Sequence, residues 1–141
     1  MTTIARALGL SIFLSSCLIF RVQGAPPASG PCEEGRPEVL ECMRHPEYRG
    51  EQRVECNRKT DEHMQCMFQL RGKYPDLTPA ARVKVMLTWH RSELGAVRAA
   101  KKVCDGSAEA CEPEKKRLIE KRVKEVPMLI KEEEKLLKHG K

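Results

Sequence analysis

CEEGRPEVLEC, residues 32–42, and CNRKTDEHMQC, residues 56–66, each set two cysteines with nine residues between them. A step of ten residues is three plus four plus three. On a helix, the two sulfurs therefore fall near one seam, roughly 15 Å apart. Two antiparallel helices with equal intervals can be bridged at two levels. With unequal intervals one pair would be out of reach, because the Cα atoms of a disulfide lie within about 7 Å. In such a hairpin Cys42 would join Cys56 beside the turn, and Cys32 would join Cys66 at the open end. Spacing alone leaves all three pairings of four cysteines open. The likeness runs deeper than the cysteines. PEVLECM (37–43) and DEHMQCM (61–67) share Glu four before the last Cys, Leu or Met two before it, and Met just after it. Gly35 and Pro37 delay the first helix, so Cys32 is expected to reach its partner from an extended lead-in.

The rest of the chain reads as helix. Pro46 and Gly50, in MRHPEYRGEQRVE, mark the turn of the hairpin. Thr78 is an N-cap with Pro79 at the first helical position. Behind it, Val83, Met86, Leu87, His90, Leu94 and Val97 recur at three- and four-residue steps, giving a helix to about Val103. CDGSAEAC follows, residues 104–111. Cys104 and Cys111 would be about 10 Å apart on a continuous helix, so a Cys104–Cys111 disulfide requires a turn, for which Asp105-Gly106-Ser107 is suited. Beyond it, Ile119, Val123, Val126, Ile130 and Leu137 form a second amphipathic stripe, interrupted by Pro127. Strand alternation is not apparent, and the expected class is all-α: a stapled antiparallel hairpin (32–77) followed by two longer amphipathic helices (78–141).

The first 24 residues have two readings. MTTIAR, the 14-residue apolar run ALGLSIFLSSCLIF and RVQG before Ala25 resemble a cleavable secretory signal. Alternatively, Ile4 to Val22 as a helix spans about 28 Å, enough for a membrane anchor, with Arg6 and Arg21 at its ends. The anchor is the preferred expectation, with residues 25–31 as a linker.

Composition narrows the function classes. The chain has 141 residues, 33% charged and only 4% aromatic, so a small domain of this kind depends on covalent help. Of its seven cysteines, Cys17 lies in the apolar run, leaving six for a disulfide framework in an oxidising compartment. The net charge of +6 fits an anionic partner or lipid surface without demanding nucleic acid. Catalytic thiols favour C-x-x-C settings, which are missing. Cys42 and His45 have C-x2-H spacing, but no second close pair completes a zinc set. No cofactor is expected. His63 reads as a solvated helix residue, His90 as a satisfied core histidine, and KEEEK (131–135) as an exposed face.

In the segment from Gly30 to about Leu77, the cysteine pattern resembles the twin C-x9-C (coiled-coil-helix-coiled-coil-helix) family of the mitochondrial intermembrane space. GPC (30–32) and CM…KYPDL, ending at Leu77, are similar to the import oxidoreductase of that family. That enzyme carries a redox-active C-P-C ahead of the motif, where this chain has APPASGP. Adjacent cysteines of the copper-chaperone branch are missing too. The resemblance therefore implies the structural type: a non-catalytic accessory subunit, or alternatively an assembly factor, of a respiratory-chain complex on the inner membrane. It also supports the hairpin pairing, which rests on geometry and resemblance together. The other reading is a secreted disulfide-rich helical binding protein. Expected partners are protein subunits of a larger membrane complex, with anionic lipid such as cardiolipin as a further contact for the lysine-rich C-terminal helix. The docking candidates are Trp89, which reads equally as core packing, and the stripe Ile119, Val123, Val126 and Ile130, whose apolar face is expected to be completed by another chain in preference to packing within this one.

Overall fold

Before the first helix the chain makes two tight turns. The Glu33 amide donates to the Gly30 carbonyl at 3.0 Å, and the Arg36 amide to the Glu33 carbonyl at 3.1 Å. Cys32 occupies the left-handed region at φ 58°, and so does Gly35, at φ 76°. Glycine takes that conformation freely, whereas for cysteine it costs about 1 kcal/mol. The extended lead-in is thus replaced by a folded one. The computed structural model describes residues 30–107 and 109–140; the expected anchor (1–24) and most of the linker lie outside them.

Helix α1, Arg36–Arg44, has Pro37 in its first turn, where the missing N–H is not needed. It stops before Pro46, which is fully buried. Gly50, at φ 55°, opens α2, Gly50–Phe68. A single-turn helix, α3 (Leu70–Lys73), leads to Thr78, whose side chain accepts from the Ala81 amide at 3.1 Å and caps α4. Helix α4, Pro79–Gly106, runs past Val103, and α5, Pro113–His139, continues through Pro127 instead of breaking there. All described elements are helices.

The helices pack in the spatial order α2, α1, α4, α5. Short α1 is therefore the inner element of the hairpin, and its Val39 is 1% exposed. Val39 shares one core with Cys32, Met67, Leu70 and Trp89, flanked by Val85 and Met86. The hairpin and the C-terminal helices thus fold around common residues rather than as separate modules. Arg36 secures the join, donating to the Thr88 carbonyl at 3.0 Å and the Ser92 hydroxyl at 2.6 Å.

All three expected disulfides are present: Cys32–Cys66, Cys42–Cys56 and Cys104–Cys111, with Cα separations of 5.7, 5.5 and 5.2 Å. The third closes the turn that sends α5 back along α4. Two cross-helix pairs record the antiparallel register. His90 meets Glu133 at 2.7 Å, and Arg122 donates to both carboxylate oxygens of Glu93 at 2.8 Å. Glu93 is 2% exposed, so the fork of Arg122 supplies what water cannot.

Candidate functional site

Two docking candidates are corrected by this packing. Trp89 is 4% exposed and Val126 fully buried, so both belong to the chain's own interior. Ile119, Val123 and Ile130 share the face of α5 that carries Val126, and each is half-buried. The Cys104–Cys111 turn lays that face on α4, which covers it in part. Helical periodicity marks such a face as apolar; which neighbour covers it depends on the turn.

His63 is a second correction. It is 4% exposed rather than solvated, and its ring lies 4.3 Å from the Trp89 ring. Neither ring nitrogen has a hydrogen-bond partner among the described residues. Cys56, Thr60, His63, Met67 and Leu70 follow one another at steps of three and four, so the sequence did carry a signal that His63 faces inward. His90 is satisfied by Glu133 as expected. KEEEK is only partly an exposed face, because Glu133 turns in to His90 and Glu134 pairs with Arg91 at 2.7 Å.

Burial holds the His63 imidazolium pKa below its usual value, with help from the Arg36 charge and against the Glu33 carboxylate. Below about pH 6.5 the unfolded chain takes up a proton that the folded chain refuses, so stability present above that pH is lost as pH falls towards the folded value. The steepest loss is about 1.4 kcal/mol per pH unit. Urea titrations between pH 7 and 5 will show it, and His63→Phe will flatten the curve; an unchanged pH slope in that variant would refute the assignment. His45 acts in a separate window. Its pKa is raised, by Glu47 first and Glu41 second, so its contribution is lost only as pH rises above 6.5 through the folded value.

The chemistry on the surface is that of charge and shape. His45 has carboxylates on both ring nitrogens, Glu47 at 2.8 Å and Glu41 at 3.0 Å, which makes a paired cation rather than a base aimed at a nucleophile. A cleft of about 470 Å³ lies over the Cys42–Cys56 disulfide between α1 and α2, rimmed by Glu38, Glu41 and Glu55. Lys59 crosses it, 2.8 Å from Glu38 and 3.6 Å from Glu55. Among the described residues no group of three His, Cys, Asp or Glu side chains is arranged to hold a metal ion. Also among them, no helix is long and apolar enough to cross a membrane. The largest exposed apolar side chains are Phe68, 83% exposed, Val54 on the outer face of α2, and Leu118, Met128 and Leu136 on α5.

What the geometry defines is a disulfide-braced all-helical body that offers charged helical faces to its surroundings. Compared with known proteins, the chain matches no family model, no curated protein and no solved structure.

Proposed function

We propose that the protein is a non-catalytic, disulfide-braced helical accessory subunit that works by holding a rigid surface against neighbouring proteins in an oxidising compartment. The observation that carries this reading is the state of the cysteines. All six from Cys32 to Cys111 are joined in pairs, so their sulfurs serve as staples rather than as thiolate nucleophiles. The finer reading rests on the resemblance to the twin C-x9-C family. It places the protein on the intermembrane-space side of the mitochondrial inner membrane, held by residues 1–24, within a respiratory-chain complex. Cys104–Cys111 lies outside that motif and favours a second reading, a secreted three-disulfide binding module cleaved before Ala25.

Intact mass of the endogenous protein, with and without reduction, after membrane fractionation and native electrophoresis separates these. A full-length mass that rises by six hydrogens on reduction, comigrating with a respiratory complex, supports the subunit. A mass beginning at Ala25 in a secretory fraction supports the module. Thiol oxidase activity in the purified protein would overturn both.

A further inference from the structure

On α5, Arg117, Lys121, Lys124, Lys131, Lys135 and Lys138 follow one another at alternating steps of four and three, with Met128 in the one remaining position of the series. A series of that spacing forms a single line along a helix, drifting by about 20° per heptad. From Arg117 to Lys138 the line is about 32 Å long. All seven side chains are exposed, and Met128, at the middle, is 62% exposed.

The other cations of α5 are spoken for. Lys115 donates to the Pro46 carbonyl at 2.8 Å, Lys116 lies 3.5 Å from Asp105, and Arg122 holds Glu93. Within the row only Lys121 has a carboxylate within ion-pair reach among the described residues, Glu125 at 3.6 Å. The fold thus engages Lys115, Lys116 and Arg122, and along the outer row every cation but Lys121 stands without a carboxylate within ion-pair reach among the described residues.

We propose that this row is the docking seam for an acidic helix of a partner protein, laid alongside α5 with carboxylates at heptad spacing and an apolar side chain against Met128. The inference rests on the subunit reading and names the chemistry of the neighbour. A helix is favoured over a flat anionic bilayer for two reasons. The row is one residue wide, and Glu114, Glu125 and Glu132 stand beside it within the arc that a plane would touch. The apolar face that an interfacial helix inserts already packs on α4. Leu118 and Leu136, both exposed on the same flank as those glutamates, give the seam apolar shoulders.

The test uses the full chain, oxidised, and a helical peptide of about four heptads with glutamate at the a and d positions and one central leucine. A scrambled peptide of the same composition and vesicles containing anionic phospholipid serve as comparators. Calorimetric titration at low salt is expected to show the patterned peptide binding at least about tenfold more tightly than the scrambled one, with the difference lost at about 1 M salt. The double variant Lys124→Glu/Lys131→Glu should lose at least about tenfold in affinity with an unchanged thermal midpoint, because both side chains are solvent-exposed. Equal binding of the two peptides, tighter binding to vesicles, or no binding would each overturn the proposal. These measurements are blind to compartment and to thiol chemistry, so they fail independently of the mass and activity tests above.

Discussion

The double variant Cys32→Ser/Cys66→Ser will lose about 4 kcal/mol of unfolding free energy, the largest loss among the three disulfides. The bridge closes a sequence separation of 34 residues, against 14 for Cys42–Cys56 and 7 for Cys104–Cys111. On the chain-entropy account the shorter loops contribute about 3 and about 2.5 kcal/mol. A domain of this size has roughly 5–15 kcal/mol in total, so the first loss alone brings it close to unfolding. Local structure adds to the effect, because Cys32 is a buried member of the core and sits in a left-handed conformation that two tight turns and the bridge hold in place. Denaturant titrations of the three double variants, run in parallel, give the order directly. If the Cys104–Cys111 pair proves the costliest, loop entropy is not what the bridges supply.

Trp89→Ala will cost about 3–5 kcal/mol. The indole is the largest side chain in the core between α1, α2 and α4. It also forms a wall of the His63 site. Removing it admits water to a ring whose pKa is held down chiefly by burial, so the imidazole titration should move up towards the ordinary histidine value. NMR titration of His63 provides that second readout. A large loss of stability with an unmoved His63 would mean that the cavity collapses instead of hydrating.

The features legible in the sequence were those fixed by covalent reach or by local backbone chemistry. A repeated cysteine interval limits which helices can be bridged, and Thr78-Pro79 can hardly be anything but a helix start. The features that were not legible depend on which face meets which neighbour. Trp89 lies off the main apolar stripe of α4, and it is buried because that helix packs on α1 with one side and on α5 with another. Val126 and its neighbours read correctly as an apolar face, but α4 is brought to that face by the turn between Cys104 and Cys111, which ends 15 positions upstream of Val126. Pro127 reads as a break, yet α5 keeps its course through it because α4 supports the helix on either side.

Helix α1 has nine residues, fewer than an isolated helix needs to persist in water. Its inner face is completed by α4, which begins at Pro79. Cys42 therefore sits on a helix whose lasting shape depends on a part of the chain that follows it by more than 30 residues. Cys42 and Cys56 are 14 residues apart on neighbouring helices, so that staple is local, but the surface that packs its inner helix comes from beyond Thr78.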